Sequence, residues 1–214
     1  MKVIDPTRGL YSGKSGGYIF YVRNGKTYAR RMPDPRRDYT PTEKQAKANR
    51  RFGMVQRMYR FYRDYISADV WRIAAREEGR MAHAYFHSVN AACFSGEGEL
   101  VDHRHFRFAM GCLLLPRELR VEVEGEGWFR VRWKEEREQA NAAGGDRLMV
   151  GVIHEDYPLA LELVPGVEGT RGEGQGRFRV EGKMGEGVHV YLFFAREDGT
   201  AYSPSEYTRV VLPG

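Results

Sequence analysis

The feature that most constrains this chain is a change of hydrophobic period close to residue 95. From Thr40 to about Val89 apolar residues recur every three to four positions, whereas after "FSGEGE" (94–99) they alternate or run unbroken for strand length. Helices followed by strands, rather than interleaved with them, read as an α+β fold. Thr40-Pro41-Thr42-Glu43 has the order of a helix start, with a capping threonine, a first-turn proline and a reciprocal glutamate. The stripe that follows is Ala48, Phe52, Val55, Tyr59, Tyr62 and Ile66, widened by Met54, Met58, Phe61 and Tyr65. Ser67 caps a second helix reaching about Val89, with Val70, Ala74, Met81 and Tyr85 inward, so the pair forms a helical hairpin.

Eight segments carry the strand period: "HFRFAM", "LRVEV", "WFRVRW", "RLMVGVI", "LALELV", "RFRVEG", "VHVYLFF" and "YTRVVL". Leu119, Val121 and Val123 form one inward set, and Val188, Val190, Leu192 and Phe194 another. Seven or eight short strands separated by turns predict an antiparallel β-sandwich of immunoglobulin-like type. The glycine-rich "GVEGTRGEGQG" reads as a long mobile hairpin loop. At the other end of the chain, Asn24-Gly25 between two alternating segments predicts a β-hairpin over 18–31 with a type I′ turn, preceded by an opening loop. "MPDPRRDYTP" then reads as a linker or extended arm. The expected division is an N-terminal part, 1–98, holding loop, hairpin, basic arm and two helices packed on the sandwich, and a C-terminal sandwich, 99–214.

Residues 1–63 carry 16 Lys and Arg against 4 Asp and Glu, a balance of +12, while the remainder stands at −7. Arg23, Lys26, Arg30, Arg31, Arg36 and Arg37 concentrate this charge on the hairpin and arm, interleaved with Tyr18, Tyr21, Tyr28 and Tyr39. Two partners suit such a region. An acidic protein surface, on a second copy or another protein, satisfies the cations; alternatively, nucleic acid places bases on the tyrosines and phosphates on the basic side chains. No apolar run has membrane length and the first residues lack a signal-peptide core, so a cytoplasmic protein with no membrane partner is expected. Cys93 and Cys112 lack metal spacing and read as buried, reduced thiols.

Two catalytic patterns meet in "GLYSGKSGG" (9–17), and both fail on context. A P-loop needs one more residue before its Gly-Lys pair, with a strand before and a helix after it. The G-x-S-x-G elbow likewise needs a strand-to-helix turn, whereas Ser15 precedes a hairpin. His83 and His87 lie one helical turn apart among arginines that oppose a cation. His103 and His105, on one strand face beside Asp102, resemble a solvated strand end more than a metal site. Glu135 and Glu136 sit in an exposed charged excursion. No catalytic residue, metal or cofactor is assigned, and the chain reads as a non-enzyme.

The segment "SGKSGGYIFYVRNGKTYARRMPDPRRDYTPTEKQAKANRRFGMV" resembles the N-terminal signature of a bacterial, Bacteroidetes-type domain family of unknown function. The matching positions are Ser12, Gly13, Gly16, Tyr21, Asn24 to Lys26, Tyr28, Arg30, Pro35, Thr40 to Gln45, Arg50 or Arg51, and Phe52. "VHVYLFFAREDGTAYSPSEY" is similar to the same family's ending. Gly17 departs from the family's more frequent asparagine. A comparable signature occurs in phage-encoded proteins, which implies a structural role in a virion or mobile element and no transferable catalytic residue.

Overall fold

The computed structural model describes residues 2–23, 25–33, 40–134 and 140–213. The chain divides into two compact units, 1–42 and 43–214. The helices therefore belong with the sandwich, and the boundary lies well before the expected 98/99.

The first unit is a four-stranded antiparallel meander: β1 (Lys2–Asp5), β2 (Leu10–Ser15), β3 (Tyr18–Arg23) and β4 (Lys26–Arg31). The hairpin of β3 and β4 is as expected, with Gly25 at φ +69° in its turn. The opening segment is not a loop, because β1 and β2 extend the sheet. Gly16 and Gly17, at φ +56° and +78°, make the two-residue turn that pairs Ser15 with Tyr18. Both positions need left-handed backbone, and glycine supplies it without steric cost.

The second unit begins with α1 (Glu43–Phe61), whose last turn widens into a π-helical turn over Tyr62–Ile66. Its expected stripe is buried from Val55 through Tyr62, while Ala48 and Phe52 at the N-terminal end are exposed. The single second helix is in fact two, α2 (Val70–Glu77) and α3 (Ala82–Asn90). Gly79 at φ +62° stops α2, its N–H bonding to the Arg76 carbonyl and the Arg80 N–H to the Ala75 carbonyl. This pair of bonds is a Schellman stop, which overrides the apolar spacing running through it.

The sandwich has seven strands: β5 (Arg117–Gly125), β6 (Trp128–Lys134), β7 (Arg147–His154), β8 (Leu161–Leu163), β9 (Gln175–Arg179), β10 (Gly187–Ala195) and β11 (Glu206–Val211). One sheet has the order β5-β6-β9 and the other β11-β10-β7-β8. Lettered along the chain with β8 as C′, these are A-B-E and G-F-C-C′, an immunoglobulin-like arrangement. Phe129, Val131, Trp133 and Phe178 of the smaller sheet meet Val150, Val152, Val188, Val190, Leu192 and Phe194 of the larger one in a single core. The opposite face of the larger sheet, including Ile153, Tyr191 and Phe193, packs on Val55, Tyr62, Trp71 and Phe86 of the helices. All nine residues of β10 are consequently buried, since a strand covered on both faces needs no polar alternation. Val123, placed inward by its spacing, keeps its register opposite Phe129 but is 56% exposed, near the end of the edge strand β5.

Two further segments depart from expectation. "HFRFAM" forms no strand, although Phe106 and Phe108 are fully buried. Side chains replace the ladder there: Asn90 bonds both main-chain groups of Arg107, Ser205 Oγ accepts from the Phe108 N–H, and Trp71 Nε1 donates to the Phe108 carbonyl. The glycine-rich stretch before β9 is an ordered 3₁₀ turn at Arg171–Glu173, bridged to its neighbours at Arg147–Thr170 and Glu168–Arg177. Both cysteines are free, with Cys93 buried and Cys112 exposed rather than buried.

Candidate anion-binding face

Residues paired directly across an antiparallel sheet point to the same side of it. The register Ile19↔Arg30, Tyr21↔Tyr28 and Arg23↔Lys26 therefore gathers three of the basic residues singled out from the sequence, Arg23, Lys26 and Arg30, on one face. Lys14 pairs with Ile19 and Lys2 with Ser12, which adds two lysines to that side. At its centre Tyr21 and Tyr28 stack, with centroids 5.7 Å apart and planes inclined by 20°. Both rings remain about two-fifths exposed.

Among the described residues, Lys14, Arg23, Lys26 and Arg30 form no ion pair with a carboxylate. The unit's one described carboxylate, Asp5, bonds Thr7 and Arg8. The Thr7 hydroxyl, with smaller help from backbone N–H groups, holds the Asp5 carboxyl below its usual range. Arg31 pairs with Tyr18 and faces the opposite side. Arg36, Arg37 and Tyr39 lie outside the described residues. Lys2 and Lys14 were absent from the sequence reading, which took 1–17 as a loop; the Gly16-Gly17 hairpin signal places them.

The histidines do not assemble into a second site. His105 Nδ1 lies 2.8 Å from Asp102 Oδ2 on the exposed side of a turn. His103, instead of sharing a strand face with it, turns inward and stacks on His189, with centroids 3.6 Å apart and planes parallel to within 3°. Burial, and then the neighbouring imidazole, push His189 down to about 4; burial also lowers His103. His189 Nδ1 is 3.0 Å from the Tyr207 hydroxyl. His83 and His87 lie against the α1 rings Tyr59 and Phe52. Among the described residues no group of three or more His, Cys, Asp or Glu side chains is placed to hold a metal ion. Ser15 ends a strand that turns into another strand, so neither phosphate-loop nor nucleophile-elbow geometry surrounds it. Glu135 and Glu136 lie outside the described residues.

Fold and site together define an immunoglobulin-like sandwich with a helical layer and a separate basic, tyrosine-bearing sheet. No family model and no curated protein matches the chain. Three solved structures show partial likeness. The chicken CNTN1 FN1-FN3 domains are 12% identical over 49% of this chain and 32% of theirs, with a TM-score of 0.37. The fn3 domain of human contactin 1 is 13% identical over 48% and 80%, with a TM-score of 0.32. The Clostridium perfringens spore cortex lytic enzyme SleM is 14% identical over 50% and 29%, with a TM-score of 0.27. The chain thus corresponds to about a third of the first of these, and the fold assignment rests on its own strand order. Among the described residues no helix is long and apolar enough to cross a membrane.

Proposed function

We propose that this chain is a non-enzymatic binding protein that holds an acidic protein surface against the basic face of its N-terminal sheet. The observation that carries this reading is the convergence of Lys14, Arg23, Lys26 and Arg30 around the Tyr21–Tyr28 stack, with no carboxylate among the described residues of that face. Unpaired cations of one sign attract an anionic partner over a Debye length, while the tyrosines supply rigid amphipathic contact area. A cytoplasmic setting, drawn from the sequence composition, and one in a virion or mobile element, drawn from the sequence resemblance, belong to the same proposal.

The exposed tyrosine pair also supports a second reading, in which the face stacks the bases of single-stranded nucleic acid. Fluorescence anisotropy with labelled oligo-glutamate and a labelled single-stranded oligonucleotide separates the two. Tighter binding of oligo-glutamate at matched charge supports the protein-binding reading. Tighter binding of the oligonucleotide moves the assignment to nucleic acid, and binding of neither removes both.

A further inference from the structure

The outer face of the smaller sheet sets like charges directly opposite one another. Arg130 pairs with Arg177 across β6 and β9, and Arg120 with Arg132 across β5 and β6. Such pairs repel unless an anion lies between them. For the first pair the chain supplies one: Glu124 accepts Arg130 Nε on Oε1 at 2.5 Å and Arg177 Nε on Oε2 at 2.7 Å. The second pair has half of such a bridge. Glu122 Oε2 lies 3.6 Å from Arg132 Nε, while among the described residues Glu122 Oε1 meets no cation and Arg120 no carboxylate.

These two unmet groups lie on a free edge of the sandwich. Among the described residues β6 is the one strand that pairs with β5. A cleft of about 390 Å³, lined by Leu119 and Val121 on one side and by Leu192 and Tyr207 on the other, separates that edge from β11. Register shifts at Arg117/Arg120 and Val123/Gly125 bound a regular run, Arg120 to Val123. An unpaired edge offers its N–H and C=O groups to a further strand. Where that strand is β5 of a second copy, antiparallel pairing about a two-fold axis normal to the sheet requires opposed residues to share a face. Of the registers near the regular run that meet this, one sets Arg120 against Arg120 and another Glu122 against Glu122. The register centred on Val121 instead sets Arg120 opposite Glu122 twice and Leu119 opposite Val123 twice.

From this self-complementarity we propose that β5 pairs with β5 of a second copy in the register centred on Val121, each Arg120 taking the free Oε1 of the partner's Glu122. Two three-stranded sheets then join into one. The added carboxylate completes for Arg120 and Arg132 the bridge that Glu124 makes for Arg130 and Arg177, and the exposed Val123 gains an apolar neighbour. The contact is isologous, so it closes at two chains. It lies on the sandwich and does not rest on the acidic-partner reading of the N-terminal sheet.

The test is sedimentation velocity of the full chain over a concentration series, with three variants whose folding is checked by matched thermal melts. The wild type is expected to pass from one chain to two as concentration rises and to go no further. Arg120→Glu sets a carboxylate against the partner's Glu122, and Glu122→Arg sets a guanidinium against the partner's Arg120, so each is expected to stay monomeric. The double variant Arg120→Glu/Glu122→Arg exchanges the two charges, restores unlike pairs in this register, and is expected to recover the dimer. A wild type that is monomeric throughout, assembly beyond two chains, single variants that still dimerise, or a folded double variant no better than either single one overturns the proposal. The Arg23→Ala/Lys26→Ala/Arg30→Ala variant is expected to dimerise as the wild type does, and Arg120→Glu to keep oligo-glutamate binding, so this proposal and the acidic-partner reading fail separately.

Discussion

Replacing Asp146 by alanine is expected to be among the most damaging single changes in the sandwich, and the reason can be worked from its contacts. The carboxylate is 1% exposed, accepts from Arg171 Nε at 3.1 Å and accepts the Ala143 N–H at 3.0 Å. Arg171 is itself buried, donates to the Leu114 carbonyl and places its guanidinium 4.8 Å from the centroid of Phe194. Its carbonyl accepts Trp133 Nε1, so a single ion pair joins the approach to β5 with β6, β7 and β10. Removing one partner leaves a buried charge uncompensated, at a cost of about 3–5 kcal/mol. The stranded Ala143 N–H adds roughly 1 kcal/mol. At about 2–4 °C per kcal/mol for a unit of this size, Tm falls by on the order of 10 °C. Urea unfolding gives the free energies. Arg171→Met in the Asp146→Ala background should recover part of the loss, since no charge is then left buried. A loss below about 1 kcal/mol, or a double variant as costly as the two single losses combined, refutes the reasoning.

The His103–His189 stack makes stability depend on pH. A folded-state pKa lowered to about 4 from an unfolded value of 6.5 means that the unfolded chain binds the proton first. Stability is therefore full above pH 6.5 and declines as pH falls toward 4, by about 3 kcal/mol for His189. The neighbouring Glu155, held low by its hydrogen bond to Arg209, adds a loss only below its ordinary range of 4.5. Denaturation at a series of pH values should show this slope, and His189→Phe should flatten it. Gly151→Ala places a Cβ 2.5 Å from the Phe108 ring, a clash within the helix–sheet core, and is expected to cost about 1–3 kcal/mol in urea unfolding. Gly17→Ala meets open space but keeps φ at +78°; about 1 kcal/mol of strain should appear as faster amide exchange confined to β2 and β3.

Much of this architecture was written locally, and what was missed involved partners distant in sequence. The sandwich was legible because "VHVYLFF" and "WFRVRW" have the strand period and turn residues flank them. That β10 is covered on both sides was also implicit in the seven-residue run, where Tyr191 and Phe193 occupy the face left over by the inward set. "HFRFAM" has the same period without a strand, since the groups that satisfy its backbone, Asn90 and Ser205, lie 17 and 97 residues away. Arg171 sat in a stretch that glycine content marked as mobile, and its partner Asp146 is 25 residues upstream. Gly79 makes the break between α2 and α3, while the apolar spacing runs through it unchanged. For the candidate site, the basic residues were legible as composition. Their sorting into Arg23, Lys26 and Arg30 on one face and Arg31 on the other required strand register, which Gly16, Gly17 and Gly25 set.

The central claim is that one face of the N-terminal sheet holds an anionic partner, and the salt dependence of binding in a face-specific variant tests it most directly. Affinity for labelled oligo-glutamate should fall as salt rises. The Arg23→Ala/Lys26→Ala/Arg30→Ala variant should bind more weakly and with a shallower salt slope, while Arg31→Ala, on the opposite face, should keep the wild-type slope. Equal losses from Arg31→Ala and from each single change among Arg23, Lys26 and Arg30 would contradict the account, because binding would then follow total charge and not the face that the register builds.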